Sequence, residues 1–205
     1  SDITLNNLAT TCREKGIRLI SDEIYHGISY GKAAQTALKF DEQAIVISSF
    51  SKYFSMTGWR IGWMIVPDEL LRSVECLAQN IYISAPTLSQ WAALKAFDSC
   101  VELDLHVKKY SVNRALLLEG LSHIGFDNIA TADGAFYLYV DVSKYTNDSS
   151  EFCKNLLNET GVAITPGVDF DIRRGNQTVR LSFSGATSDI EDAILRMTKW
   201  ISKYN

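Results

Sequence analysis

The sequence predicts an α/β chain: a partial, mostly parallel sheet in the first half, followed by a smaller α+β domain. Three observations carry this prediction. Short apolar runs alternate with stretches of helical periodicity. The first two runs are nearly all apolar, as in strands covered on both faces. Near residue 104, at a long helix, the texture changes to alternating strands and short helices, which sets the domains at residues 1–103 and 104–205. A chain of 205 residues has room for a sizeable core.

The elements follow in order. Residues 3–15 form a helix with Leu5, Leu8 and Cys12 inward and Gly16 as its stop. It starts at the chain's first residues without a lead-in, as expected of a piece of a longer protein. Strands are predicted at Ile17–Ile20, Ala44–Ser48 and Ile61–Val66. About two dozen residues separate the first two, enough for a parallel crossover. Only twelve residues without helical pattern separate the second from the third, so that pair is expected to be antiparallel. Pro67 and Pro86 each open a helix at the first helical position, the former with Asp68 and Glu69 against the dipole. Leu88, Trp91, Leu94 and Phe97 give the second of these its helical spacing. A long helix over about residues 105–123 comes next, then a strand at Phe136–Val142 and a helix at Ser149–Thr160 stopped by Gly161. Strands at Val162–Thr165 and Val179–Phe183 precede a last helix from Ser188 to Tyr204, with Ser188 and Glu191 as a capping box.

Composition excludes several classes. Hydrophobic residues at 46% and charged residues at 21% are those of a globular chain, not a disordered one. A net charge of −4 without a basic block argues against nucleic acid as a partner. No apolar run reaches the roughly 20 residues of a membrane span, so no membrane partner is expected. Cys12, Cys76, Cys100 and Cys153 form no C-x-x-C pair, and with three histidines there is no metal-ligand cluster. Scattered single thiols point to a reducing, cytoplasmic compartment.

Chemistry is expected beyond the carboxyl ends of the strands. The first strand delivers Ser21-Asp22-Glu23-Ile24-Tyr25, and the second delivers Ser49-Phe50-Ser51-Lys52, then Arg60. Together these offer a carboxylate, a phenol, two hydroxyls, a lysine and an arginine. An aldehyde cofactor needs a lysine amine. A pyridine ring used as an electron sink needs a buried carboxylate beside its nitrogen. A phosphate handle needs a bidentate arginine and hydroxyl donors. Taken singly, each residue has a plainer reading: Asp22-Glu23 as a turn or helix cap, Lys52 as a surface lysine, Ser49 and Ser51 as turn residues, Arg60 as an ion-pair partner and Tyr25 as a rim aromatic. Arg180 alternates with Val179, Leu181 and Phe183 and so faces away from the core. His26 reads as a loop histidine, Arg173 and Arg174 as solvated, and Pro166-Gly167 as a turn.

The order and spacing decide the matter. SDEIY (residues 21–25), then SSFSKYFSMTGWRIGW (48–63), resembles the cofactor-binding core of the class I/II aminotransferases, which have the aspartate aminotransferase fold (fold type I) and use pyridoxal 5′-phosphate. SAPTLSQ, DGAFYLYVD, VAITPG and VRLSFS resemble that family's C-terminal half in the same order. The resemblance implies that Lys52 is the Schiff-base lysine and the base that moves the substrate α-proton. It implies Asp22 as the pyridinium partner, Ile24 as the residue under the ring, and Tyr25 as the phenol on the 3′-oxygen. Ser49, Ser51 and Arg60 match the phosphate cup, and Arg180 matches the grip on the substrate α-carboxylate. It implies a transaminase acting on an α-amino acid and a 2-oxo acid, homodimeric at full length, of which this chain is the C-terminal half; the isolated piece is expected to be incomplete. The ring-stacking aromatic, a phosphate-binding glycine turn and an asparagine would precede Ser1. No Lys or Arg lies between Arg72 and Lys95, where some relatives carry a cation for a side-chain carboxylate. Two alternatives stay open: a β-lyase on the same fold, and a ligand-sensing aminotransferase-like domain of a transcription regulator.

Overall fold

The computed structural model describes residues 1–204. The chain is mixed α/β and divides into two compact units, Ser1–Leu105 and the stretch from His106 onward.

In the first unit, α1 spans Asp2–Glu14, with the Ser1 hydroxyl accepting the Thr4 N–H at 3.3 Å as its cap. Its inward stripe runs through half-buried Leu5 to Ala9 and Cys12, the i, i+4, i+7 face, and leaves Leu8 half exposed, contrary to the predicted 5–8–12 stripe. Strand β1 is Ile20–Asp22, shorter and later than predicted. The reason is local: the Ile17 N–H donates back to the Cys12 carbonyl at 2.8 Å, so residues 15–17 close the helix instead of starting the strand. Strand β2 is Ile45–Ser49 and β3 is Gly62–Ile65. β1 and β2 pair in parallel, Ile20 opposite Ile45 and Asp22 opposite Ile47. β2 and β3 pair antiparallel, Ser49 opposite Gly62, as the short connection requires. The sheet is therefore mixed rather than mostly parallel.

The expectation that β1 and β2 are covered on both faces is also corrected. Ala37, Ala44 and Val46 form a buried cluster with Leu19 and Leu38 against one face. Ile20 and Ile47, on the other, are 60% and 40% exposed. Helices α2 (Asp68–Ile81) and α3 (Thr87–Ala96) start one residue later than predicted, with Pro67 and Pro86 as their caps. α3 buries Ser89 and Ala93, while Leu88, Trp91 and Leu94 stay exposed. α4, Cys100–His123, runs from the first unit into the second and begins five residues before its predicted start.

One buried carboxylate shapes the turn after β1. Glu23 accepts the Ala37 N–H at 2.8 Å and the Thr36 hydroxyl at 3.0 Å, and its Oε2 lies 3.2 Å from His26 Nδ1. Its own N–H donates to the Ile47 carbonyl, extending the parallel pairing by one residue.

The second unit holds β4 (Tyr137–Asp141), α5 (Ser149–Thr160), β5 (Thr165–Pro166), β6 (Thr178–Ser182) and α6 (Thr187–Ile201). Its sheet has the order β4-β6-β5, all antiparallel. α5 has the bounds the sequence predicts. β5 is a two-residue remnant of the predicted strand, because only Thr165 and Pro166 reach β6, opposite Arg180 and Val179. Leu138, Val140, Val179, Leu181 and Phe183 form the buried face of the sheet, and Leu156 and Met197 of the helices are buried as well. The predicted capping box at Ser188 and Glu191 does not cap α6. The helix begins at Thr187, whose hydroxyl donates to Asn113 Oδ1 at 2.7 Å. Asn113 is fully buried on α4, and its amide donates to the Phe183 and Gly185 carbonyls at 2.9 and 3.1 Å. That side chain ties down the chain at the helix start, while no side chain caps its N–H groups. α6 ends at Ile201, before a 3-10 turn at Ser202–Tyr204.

Two substitutions test these anchors. Glu23→Ala strands two donors beside the buried cluster and lowers stability by about 1–3 kcal/mol in urea unfolding of the full-length protein. Asn113→Ala strands two carbonyls and costs about the same, read in the same way; a change below about 0.5 kcal/mol in either refutes the anchoring role.

Candidate active site

Parallel pairing brings the carboxyl ends of β1 and β2 to one edge of their sheet. At the end of β1, Asp22 is exposed and its Oδ1 accepts the Ile24 N–H at 3.1 Å, bending the chain so that Ile24 and Tyr25 follow in a tight turn. At the end of β2, the Ser49 and Ser51 hydroxyl oxygens lie 3.0 Å apart, and the Ser51 N–H donates to Ser49 Oγ at 3.1 Å. Ser49 Oγ also lies 3.1 Å from the Ile61 carbonyl, so its single proton serves one acceptor at a time. Lys52 follows, half buried, with Nζ 5.7 Å from the centroid of the Tyr25 ring. The phenol and the amine that the sequence singles out separately therefore share one site.

The lysine turn is held from below and from the side. Phe50 is buried with Met56 and Ala93, and its ring meets Phe54, Trp63 and Phe97 at centroid distances of 4.8, 4.9 and 5.4 Å. The Thr57 hydroxyl donates to the Ser51 carbonyl at 2.6 Å. Arg60 adopts the left-handed conformation, two residues before Gly62, which pairs with Ser49. It is exposed, and its Nη1 donates to the Thr57 carbonyl at 2.9 Å. The structure thus sets Arg60 at the same sheet edge as Ser49, at the return of the loop.

Three contributors escape a reading of the sequence. Buried Glu23 and half-buried His26 form the pair already described, where the sequence offers only a turn residue and a loop histidine. Tyr53, next to Lys52, lays its ring on Gly27, where a Cβ would lie 2.6 Å from the ring carbons; Gly27 also has φ +90°. The Tyr53 hydroxyl donates to Asp104 at 2.7 Å, and burial together with that carboxylate pushes the phenol well above its ordinary value. The only signal was a glycine two residues beyond Tyr25 and a tyrosine next to the lysine.

In the second unit, Arg180 sits on β6 between Tyr139 and Thr165 of the flanking strands. It is half buried rather than simply solvated, with its guanidinium carbon 4.1 Å from the Phe170 ring centroid and 5.3 Å from that of Tyr137. These residues line an open cleft of about 440 Å³. Arg173 and Arg174 are exposed, and Arg174 pairs with Asp141 at 2.9 Å. Pro166-Gly167 leads into a single 3-10 turn.

The donor set fits pyridoxal 5′-phosphate. An amine and a phenol suit its aldehyde and ring oxygen, and two adjoining hydroxyls with a guanidinium suit its phosphate; Asp22 has the chemistry for the ring nitrogen, but it is exposed in this chain rather than buried as that role was expected to require. Among the described residues no group of three or more His, Cys, Asp or Glu is arranged to hold a metal ion. Burial raises the Cys153 thiol to about 11, so it is a packing residue and not a nucleophile. No described helix is long and apolar enough to cross a membrane.

Comparison with known proteins agrees with this donor set. The profile of the family described as aminotransferase class I and II matches residues 2–197. The valine–pyruvate aminotransferase of Mycobacterium tuberculosis is 50% identical over 198 residues, covering 95% of this chain and 51% of the relative. The (5-formylfuran-3-yl)methyl phosphate transaminase of Methanocaldococcus jannaschii is 37% identical, covering 90% and 50%. The crystal structure of an aminotransferase from Mycobacterium tuberculosis superposes with a TM-score of 0.94 at 50% identity, covering 97% of this chain and 52% of that one. An aspartate aminotransferase double mutant from Thermus thermophilus gives 0.90 at 29% identity, covering 97% and 52%. The chain spans about half the length of the curated relatives it matches. With its lysine, phenol and hydroxyl pair at one sheet edge and the family profile matched almost end to end, the chain belongs to the class I and II aminotransferases, a pyridoxal-phosphate-dependent family.

Proposed function

We propose that the parent protein is a transaminase that moves an amino group between an α-amino acid and a 2-oxo acid. One observation carries this reading: Lys52 Nζ stands 5.7 Å from the Tyr25 ring, on the residue that follows the Ser49–Ser51 hydroxyl pair. Residues 1–103 are read as the C-terminal part of the cofactor-binding large domain and 104–205 as the small domain. The parent is read as a cytoplasmic homodimer, in line with four free cysteines and with apolar side chains such as Leu77, Ile81, Leu88 and Trp91, which this chain alone leaves exposed.

When bound, the cofactor supplies an aldehyde for the amino group and an electron sink for the α-carbon. Lys52 Nζ would hold the cofactor through its aldehyde and, once free, would serve as the base for the substrate α-proton. Asp22 would hold the ring nitrogen, Ile24 would pack against the ring, and the Tyr25 hydroxyl would donate a hydrogen bond to the ring oxygen. Ser49, Ser51 and Arg60 bind the phosphate, the arginine through its fork of donors. Arg180 would bind the substrate α-carboxylate.

The donor is read as a neutral amino acid. The relative at 50% identity is named for valine and pyruvate. The stretch between Arg72 and Lys95 holds no cation for a second carboxylate.

Two measurements on the full-length protein test the reading. Lys52→Ala lowers amino transfer by at least about a thousandfold; near-native turnover refutes the assignment. With pyruvate as acceptor, kcat/KM for L-valine exceeds that for L-aspartate by about tenfold or more, since an unpaired buried carboxylate is costly; the reverse order refutes the neutral donor and leaves the lysine's role standing.

A further inference from the structure

We propose that Phe170 is a positioning residue for Arg180, holding the guanidinium flat so that its donor edge faces a carboxylate. The inference rests on the reading of Arg180 as the carboxylate grip. Phe170 is 51% exposed, so the ring is not there to fill a core. Its centroid lies 4.1 Å from the guanidinium carbon, closer than a cation merely passing over a ring. Tyr137 contributes a second ring at 5.3 Å. Stacking engages the face of a planar guanidinium and leaves the in-plane N–H groups free for a bidentate partner. Asp171, which lines the same cleft, forms no ion pair with Arg180; its Oδ1 accepts the backbone N–H groups of Arg173 and Arg174 at 2.8 and 3.1 Å.

The loop that carries Phe170 is built to keep the ring in place. The Gly167 carbonyl accepts the N–H groups of Phe170 and Asp171, both at 2.9 Å. Gly167 and Gly175 press backbone on backbone: a Cβ on Gly167 would lie 2.6 Å from the Thr178 carbonyl oxygen, and one on Gly175 would lie 2.6 Å from Val168 N. The Ser149 hydroxyl on α5 donates to the Gly175 carbonyl at 2.7 Å in a buried site. A half-exposed ring on a locked loop over a cation is an orienting device.

The test uses the full-length holoenzyme and two calorimetric probes: isovalerate, which is valine's skeleton without the amine, and isobutylamine, the same skeleton without the carboxylate. Phe170→Ala and Phe170→Leu weaken isovalerate binding by about three- to tenfold, the range of a stacked cation. Phe170→Tyr restores it, and isobutylamine binding is unchanged in all three. Native isovalerate affinity in Phe170→Leu overturns the proposal, because bulk alone then suffices. Equal weakening of both probes overturns it as well, because the site as a whole is then disturbed. Arg180→Gln separates the two levels. If it abolishes isovalerate binding while the Phe170 variants keep it, only the role of Phe170 falls. If it leaves isovalerate binding intact, or if the unsubstituted enzyme does not bind isovalerate, the carboxylate reading of Arg180 falls and takes this proposal with it.

Discussion

The parallel pairing of β1 with β2 is the constraint on which the candidate active site depends. Because the two strands run the same way, Asp22 and Ser49 emerge at one edge of the sheet, and the turns that follow can meet. An antiparallel pairing would send them to opposite edges. The pairing is short, and its last bond, from the Glu23 N–H to the Ile47 carbonyl, is made by the residue whose carboxylate also ties the turn to Thr36 and Ala37. Strand register and turn geometry are thus set by one residue, with the polar atoms of a buried carboxylate satisfied on both oxygens.

Around that edge, aromatic packing does what hydrogen bonds do on the β1 side. Phe50 anchors the lysine turn among Phe54, Trp63 and Phe97, and Tyr53 bridges from Lys52's neighbour to Gly27. The lysine lies between a polar clamp and an aromatic one. A left-handed Arg60 and a β3 strand that begins with a close-packed glycine complete the return. In such a frame the backbone of the lysine turn is held by neighbours that the proposed chemistry does not use.

Much of this was legible before the coordinates. Strand order, the antiparallel return of β3 and the bounds of α5 follow from run lengths and breakers, because those signals are local. The candidates for the site were legible as well, since their order and spacing resemble a family motif. Other features depend on partners far away in sequence and left no local trace. Ser188 and Glu191 have the spacing of a capping box, yet Asn113 makes that junction from the middle of α4. Leu8 has the hydrophobicity of an inward residue, yet the stripe that finds a partner passes through Ala9. The apolar runs of β1 and β2 imply two covering layers, and the described chain supplies one.

The amide of Asn113 has a consequence for how the protein is made. Its acceptors, the Phe183 and Gly185 carbonyls, lie 70 and 72 residues downstream, so α4 leaves the ribosome long before its only buried asparagine can be satisfied. Until the last strand and the start of α6 emerge, the middle of that helix carries a polar group facing an unfinished interior. Completion of the second unit therefore waits on synthesis of nearly its entire length, and chains released early would expose that seam to proteolysis.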